Sequence, residues 1–193
     1  MAGAFSGRRV MAVGGCGAGK STFSKKLAAL TGLPLIHLDR LGWRENWEKT
    51  PREEFDAVLS AVIAGEEWII DGNWSRTVSA RLKRADTVFW FRFTGLQCLW
   101  GVVERFLRDR GKVRDDMAEG CFETMNAEKL KFFHTTLWGA RRTNRRIGEY
   151  LKDFPDVRVV IFRTRRQADR FLAELEKSLG TEKEGTDGGM GGA

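Results

Sequence analysis

The sequence predicts an α/β fold in which a five-stranded, mostly parallel sheet carries helices on both faces. Short apolar runs alternate along the chain with longer segments whose apolar residues recur every three or four positions. Strands that alternate with helices pair in parallel, because each helix carries the chain back to the same end of the sheet. With 193 residues, 42% of them hydrophobic, the chain is long enough for one such domain. We expect that domain to span residues 1–179.

Each expected strand is a short apolar run that stops at a polar residue or a turn. The strands are predicted at residues 8–13, 34–38, 68–70, 87–93 and 157–162. The helices are predicted at residues 20–30, 51–62, 96–108, 127–151 and 167–179. The second helix has a clear start signal, in which Thr50 caps, Pro51 takes the first helical position and Glu53 completes a capping box.

Two segments lack a periodic apolar pattern. Residues 110–123 are polar, mixed in charge and contain two glycines, which predicts a mobile stretch, and we expect a lid over about residues 108–125. From Gly180 onward the chain is rich in glycine and has no apolar face, which predicts a disordered tail over residues 180–193.

Charge and cysteine content narrow the class of protein. The chain has 33 Lys and Arg against 26 Asp and Glu, a net charge of +7, and the excess is concentrated in residues 141–170. Such a surplus suits an anionic ligand, a nucleotide or a nucleic acid, although a solvated helix face is an equal alternative. Three scattered cysteines give neither a disulfide framework nor a zinc pattern, and no apolar run reaches the length of a membrane span. Residues 1–9 lack the apolar core of a secretion signal, so we expect a cytoplasmic protein.

The turn between the first strand and the first helix matches the P-loop pattern G-x4-G-K-[ST]. Its residues are Gly14, Gly15, Cys16, Gly17, Ala18, Gly19, Lys20 and Ser21, followed by Thr22. Glycines let successive backbone N–H groups point at one phosphate, and the following helix adds its positive end. Lys20 is expected to reach the β- and γ-phosphates, Ser21 to bind Mg²⁺ and Thr22 to contact the α-phosphate. The pattern predicts ATP and Mg²⁺ as ligands. The alternative is a glycine-rich turn that merely precedes Lys20 and Ser21.

Two carboxylates follow apolar strands, at the sheet edge where parallel α/β folds bind ligands. Asp71 comes directly after the strand at 68–70 and is the better candidate for holding Mg²⁺. Asp39 follows the second strand and could orient or deprotonate an acceptor hydroxyl. Either residue could instead cap the turn that follows it.

Phosphoryl transfer requires positive charge around the migrating group, which arginine supplies with a planar fork of donors. Arg76 lies just past Asp71 and could contact an acceptor, while Arg110 and Arg114 fall in the predicted lid. Further candidates, most of them expected to be ordinary surface residues, are Arg105, Arg108, Arg141, Arg142 and Arg145.

Aromatic residues and one histidine lie near the same edge. Trp43, Trp47 and Trp74 fall in predicted loops, where they could stack on a base or sugar but more simply pack beneath those loops. His37 lies in an apolar strand, which favours burial over catalysis.

The sequence resembles the P-loop proteins known as the DNA topology modulation or FlaR-like group, within the nucleoside-monophosphate-kinase-like family. Besides the P-loop, the resemblance lies in Leu38–Trp43, Trp68–Arg76 and Arg110–Cys121. It implies an adenylate-kinase-like fold, a P-loop three-layer sandwich with an acceptor region after the second strand and a lid before the long helix. The chain departs from adenylate kinases in having Asn73-Trp74 where they have Phe-Pro, and in its short acceptor region.

These observations favour a kinase that transfers the γ-phosphate of ATP to a small-molecule or nucleotide acceptor. Lys20, Asp39, Asp71, Arg76 and the lid arginines would carry the reaction. A nucleotide-dependent DNA-binding or regulatory protein is the alternative suggested by the basic residues, although no DNA-binding motif is present. A plain NTPase, which differs in using water as the acceptor, is a third hypothesis.

Overall fold

The computed structural model of the protein describes residues 5–111, 113, 115–122, 125 and 127–187. Five parallel strands form one sheet in the order β2–β3–β1–β4–β5. They are β1 (Arg9–Gly14), β2 (Leu35–His37), β3 (Trp68–Asp71), β4 (Thr87–Phe91) and β5 (Arg158–Phe162). The predicted α/β fold with a five-stranded parallel sheet is therefore confirmed.

Helices cover both faces of the sheet. They are α1 (Lys20–Thr31), α2 (Leu38–Gly42), α3 (Arg52–Ala64), α4 (Val78–Leu82), α5 (Gly95–Asp109), α6 (Ala127–Lys152) and α7 (Arg165–Asp187). Two short 3-10 turns, Glu45–Trp47 and Ser75–Thr77, lie between them. None of the described helices is long and apolar enough to cross a membrane.

Alternation along the strands divides the core into two layers. Val10, Ala12 and Ile69 point to the side of α1 and α7, where an aromatic cluster forms around Phe23 and Phe89. Their neighbours in sequence, such as Met11, point to the other side, where α3 and α4 pack. This period-two pattern buries both faces of the sheet, as a three-layer sandwich requires.

The strand register brings the carboxyl ends of the central strands to one edge. Ala12 pairs with Asp71 and Gly14 pairs with Phe91, so the glycine-rich turn leaves the sheet between β3 and β4. On the far side of β3, His37 pairs with Asp71. The turn, Asp71 and His37 therefore lie together at this edge, which we call the crevice.

Helix starts differ from the prediction in two places. Thr50 does not cap α3: its hydroxyl donates to the carbonyl of Leu41, and α3 begins at Arg52 with no side-chain cap. The capping box lies instead at α5, where the Thr94 hydroxyl accepts from the Gln97 N–H and the Gln97 side chain accepts from the Thr94 N–H. The Thr50 hydroxyl does not reach the N–H groups of α3 because it bonds to the loop that precedes the helix.

The last helix runs further than its periodic apolar residues indicated. α7 ends at Asp187, so residues 180–187 of the predicted disordered tail are helical. Glu and Lys residues, which have high helix propensity, follow Gly180 and favour the continuation of α7 beyond its last apolar residue. Residues 188–193 lie outside the described part of the chain.

Candidate active site

The turn after β1, Gly14 to Ser21, has a backbone conformation that is typical of phosphate-binding turns, and we call it the cradle. Gly17 and Gly19 have φ of +73° and +88°, conformations that other residues rarely adopt. A β-carbon at Gly17 would lie 2.3 Å from the carbonyl oxygen of Cys98, so the position has no room for a side chain. Gly19 is the N-cap of α1, which directs the free N–H groups of that helix into the turn.

Lys20 places its charge across this cradle. Its Nζ donates to the carbonyl of Gly15 at 3.0 Å, within the turn that precedes it. Ser21 is half-buried and Thr22 is exposed, both in the first turn of α1. Cys16, at the tip of the turn, is an exposed free thiol.

Asn73 holds the start of the turn from the neighbouring strand. Its Oδ1 accepts from the Gly14 N–H at 3.0 Å, and its Nδ2 donates to the Gly14 carbonyl at 2.6 Å. These paired bonds fix the point where β1 gives way to the cradle. The sequence analysis noted Asn73 within the Trp68–Arg76 resemblance and as a departure from adenylate kinases, but did not place it in the site. Its position directly after Asp71-Gly72, at a strand end, was the available signal.

The outer side of the cradle rests on α5 and α7. A β-carbon at Gly101 would lie 2.0 Å from the Gly17 carbonyl oxygen. Arg165 donates to the same oxygen at 3.3 Å and pairs with Glu104 at 2.6 Å. Arg165 was absent from the predicted site because its sequence position, at the start of α7, does not reveal this contact.

Cys98 lies behind the cradle as a buried thiol. Burial raises the pKa of Cys98 to about 11, and the positive charge of Lys20 opposes part of that shift. The thiol is therefore protonated at neutral pH and serves as a small packing group against Gly15.

Asp71 forms a buried pair with His37. Asp71 Oδ2 lies 2.9 Å from His37 Nδ1, and the two side chains are 5% and 9% exposed. Asp71 Oδ1 and His37 Nε2 are buried without a hydrogen-bond partner among the described residues. A buried carboxylate oxygen without a partner is costly, so this atom suits a further ligand.

Arg81 provides a second buried charge beside Asp71. It is fully buried and donates to the carbonyls of Gly72, at 3.0 Å, and Asn73. Burial lowers the pKa of Arg81 to about 9, and the negative charge of Asp71 opposes that shift. Arg81 thus fixes the backbone that follows Asp71, a role the sequence did not indicate.

Asp39 and the tryptophans lie at the adjoining loops. Asp39 is exposed in the first turn of α2 and accepts from the Trp74 indole N–H at 3.0 Å. The Trp74 ring stacks on Phe55 with ring centroids 4.6 Å apart, so Trp74 packs on α3. Trp43 and Trp47 meet edge to face beside this loop.

The predicted arginines have different locations in the structure. Arg76 pairs with Asp56 of α3 and lies over the Phe55 ring, which fixes it on the side of the Asp39 loop. Arg110 is exposed directly after α5. Arg114 lies outside the described residues.

The described part of the predicted lid contacts elements on two sides of the crevice. Asp115 pairs with Lys25 of α1 at 3.0 Å. Cys121 is buried, and its Sγ donates to the carbonyl of Arg44, in the loop after α2, at 3.3 Å. The segment therefore contacts both α1 and the loop that follows α2.

Two cavities differ in their relation to this site. The larger, about 230 Å³, lies at the amino ends of the strands beside Arg9 and Asp86, far from the cradle. A smaller one, about 60 Å³, lies next to the cradle between Asn73 and two arginines of α6, Arg142 and Arg146. The smaller cavity is the one relevant to the site, because Asn73 also holds Gly14.

No protein-family model matches the sequence, and neither does any curated protein. Solved structures do match. A shikimate kinase from Acinetobacter baumannii in complex with shikimate is 15% identical, with a TM-score of 0.54 over 91% of this chain and 95% of that chain. A shikimate kinase from Bacteroides thetaiotaomicron is 18% identical, with a TM-score of 0.48 over 91% and 99%. A deoxyadenosine kinase from M. mycoides with bound dCTP is 14% identical, with a TM-score of 0.44 over 89% and 98%. At 15% identity the first match shows the fold alone: the chain shares the α/β fold of that shikimate kinase.

Proposed function

We propose that this protein is a phosphotransferase that moves the γ-phosphate of ATP to a small-molecule or nucleotide acceptor. The observation that carries the proposal is the glycine-rich turn from Gly14 to Ser21, with Lys20 directed across it. The charged group and the first N–H groups of α1 lie in the same turn, at the carboxyl edge of a parallel sheet. That arrangement suits an anion with several negative charges.

The donor half of the site needs little rearrangement to hold a triphosphate. Asn73 and Arg165 fix the two sides of the turn through Gly14 and Gly17. The Lys20 ammonium has a weak partner, a carbonyl of the same turn, which it exchanges for phosphate oxygens when ATP binds. A pre-formed cradle reduces the ordering cost of binding.

The residues present fit a magnesium ion. Asp71 Oδ1 is a buried carboxylate oxygen without a partner in the described structure, and Ser21 adds a hydroxyl from the first turn of α1. These oxygen donors are the kind that Mg²⁺ prefers. When bound with ATP, the ion neutralises charge that develops on the phosphates. His37 holds the other oxygen of Asp71 and so restricts its rotamer.

The acceptor half is assigned to the loops after β2 and β3. Asp39 is exposed there and can accept a proton from an acceptor hydroxyl, with Trp74 orienting its carboxylate. Arg76 lies on the same side and contributes positive charge. The lid residues Arg110 and Arg114 would complete the charge around the phosphoryl group on closure.

Nothing specific favours the nucleic-acid hypothesis. Two arginines of the basic region pair with acidic residues of the same chain at its surface: Arg165 with Glu104, and Arg145 with Glu149. We therefore do not propose it as a second function.

The test is a coupled assay of ADP formation against a panel of nucleosides, nucleotides and small hydroxylated metabolites. We expect at least one acceptor to stimulate ADP release in the presence of Mg²⁺. Lys20→Ala should reduce that rate by at least about 100-fold, since it removes a charge that stabilises the transition state. Lys83→Ala, an exposed lysine after α4, is the matched control and should leave the rate unchanged.

Two outcomes would count against the proposal in different ways. ADP release that no acceptor stimulates, but that Lys20→Ala abolishes, would replace the kinase with an NTPase. Absence of ATP binding by calorimetry, with and without Mg²⁺, would remove both.

A further inference from the structure

α5 has an apolar row on the side that faces away from the sheet. Leu96, Trp100 and Leu107 are between 68% and 72% exposed, and Val103 in the same row is half-buried. The opposite side of this helix is buried against the cradle through Cys98. The packing of α5 in its own fold therefore does not use this row. Large exposed apolar side chains grouped in this way mark interaction surfaces.

α6 extends the row into a patch. The Phe106 and Phe133 rings lie 6.0 Å apart, and the Leu137 carbonyl oxygen lies 1.9 Å from where a β-carbon on Gly95 would be, so α5 and α6 run side by side. These contacts place the next exposed residues of α6 beside the two ends of the α5 row. We define the α5–α6 patch as Leu96, Trp100, Val103, Leu107, Leu130 and Trp138, of which Leu130 and Trp138 are 66% and 69% exposed.

The patch is large enough to matter for association. A tryptophan that is two-thirds exposed contributes roughly 150 Å² of accessible surface. With two tryptophans, three leucines and a valine, the patch offers on the order of 600–700 Å². That area approaches the ~800 Å² that each partner contributes to a stable protein–protein interface.

We propose that the α5–α6 patch is the interface of a homodimer in which the two α5 helices pack antiparallel across a twofold axis. The α5 row is spaced by four, three and four residues, so it has the same spacing from either end. Antiparallel packing then sets Leu96 against Leu107 of the second copy, and Trp100 against Val103 of the second copy. A twofold interface requires a surface complementary to itself, and this spacing is the one by which two helices interlock.

A membrane surface fits the patch less well than a second copy does. Helices that lie on membranes have a wide apolar face and a basic rim. The α5 row is narrow, and Glu104, on its border, is paired with Arg165 within the fold. A narrow row with helix-packing periodicity favours another helix as the occupant.

The first test measures mass in solution by sedimentation equilibrium of the full chain over a dilution series. We expect a species of twice the monomer mass that dissociates on dilution. Trp100→Glu should raise the dimer dissociation constant by roughly 100-fold or more, because the charge enters the interface twice. Val58→Glu changes an exposed apolar residue of α3 and should leave the dissociation constant unchanged. Circular dichroism of both variants should match the parent, since both positions are exposed. The Tm of Val58→Glu should also match, whereas that of Trp100→Glu should fall to the Tm of the parent at dilutions where the dimer has dissociated.

The second test checks the antiparallel register by disulfide cross-linking with diamide as oxidant. Leu96→Cys and Leu107→Cys, each in a Cys16→Ser background, are oxidised separately and as a mixture. We expect cross-linking in the mixture to exceed that of either variant alone. Equal or stronger cross-linking within a single variant would overturn the register.

Further outcomes would overturn the dimer itself. The proposal fails if the parent chain is monomeric across the dilution series, or if Val58→Glu dissociates it as strongly as Trp100→Glu. It also fails if a monomeric chain binds vesicles of anionic phospholipid through Trp100, which would make the patch a membrane-binding surface.

Discussion

Asp71 lies between two buried basic side chains, and each restricts it in a different way. His37 contacts one carboxylate oxygen directly, whereas Arg81 acts through the field of its charge and through the backbone after Asp71. The remaining oxygen has no partner within the described structure. The carboxylate is therefore fixed in direction but still able to bind, which suits a residue that holds a metal rather than one that moves a proton.

Replacing His37 should weaken the proposed metal site without removing it. His37→Ala leaves Asp71 Oδ2 without its contact and frees the carboxylate to change rotamer. Partners of this kind cost about 10–100-fold in metal affinity or activity when they are removed. The measurement is the Mg²⁺ concentration needed for half-maximal ADP formation, which should rise by that factor.

His134→Ala is the matched control for His37→Ala, since His134 is the other histidine and is exposed on α6. It should leave the Mg²⁺ dependence unchanged. An unaltered Mg²⁺ requirement in His37→Ala, with the fold intact, would show that the pair has a structural role alone.

Cys98 should make the protein less stable at high pH. Its pKa is raised by burial from 9.0 to about 11 in the folded state, so the unfolded chain ionises first as pH rises. The free energy of unfolding should fall between pH 9 and about 11, by about 2 kcal/mol over that interval. Urea unfolding of the parent and of Cys98→Ala at several pH values isolates this contribution. Parallel pH curves for the two proteins would contradict it.

At the scale of elements, α5 supports the cradle because one of its residues, Gly101, has no side chain and lets the helix approach closely. Gly101 brings the helix backbone against the Gly17 carbonyl, and Thr94 and Gln97 fix where the helix begins. The sequence predicted the helix from its apolar spacing, because that pattern is local. It could not predict which glycine touches the cradle, since the contact joins positions 84 residues apart in the sequence (101 − 17).

Two helical glycines should therefore respond in opposite ways to alanine. Gly101→Ala puts a β-carbon 2.0 Å from the Gly17 carbonyl oxygen and should destabilise the protein by about 1–3 kcal/mol while weakening ATP binding. Gly139→Ala in α6 meets no atom within 4 Å and should stabilise by about 0.5–1 kcal/mol. Urea unfolding and nucleotide calorimetry measure both effects. A stabilising Gly101→Ala would mean that α5 does not press on the cradle.

For the whole molecule, the sequence predicted what is local and periodic. The five strands and the main helices follow from apolar spacing, and the P-loop follows from a short motif. The short helices α2 and α4 were missed because five residues are too few to show a period. The His37–Asp71 pair depends on the β2–β3 register, and the Asn73–Gly14 bonds depend on the β3–β1 neighbourhood. Both contacts depend on which strands are neighbours in the sheet, and the local patterns of one sequence do not reveal strand order.

The same sheet order leads to a last prediction, on the stability of the whole chain. ATP with Mg²⁺ would contact the turn after β1, Asp71 after β3 and the first turn of α1, so it should stabilise the domain as a unit. At about 100 times the dissociation constant a ligand adds about 2.7 kcal/mol to the free energy of unfolding, which in a chain of this length raises Tm by roughly 5–10 °C. Differential scanning calorimetry should show this shift with ATP and Mg²⁺, a smaller one with ATP alone, and almost none in Lys20→Ala. Lys83→Ala should keep the full shift. A shift of equal size in Lys20→Ala would place nucleotide binding away from the turn, and with it the site on which the proposed phosphotransferase depends.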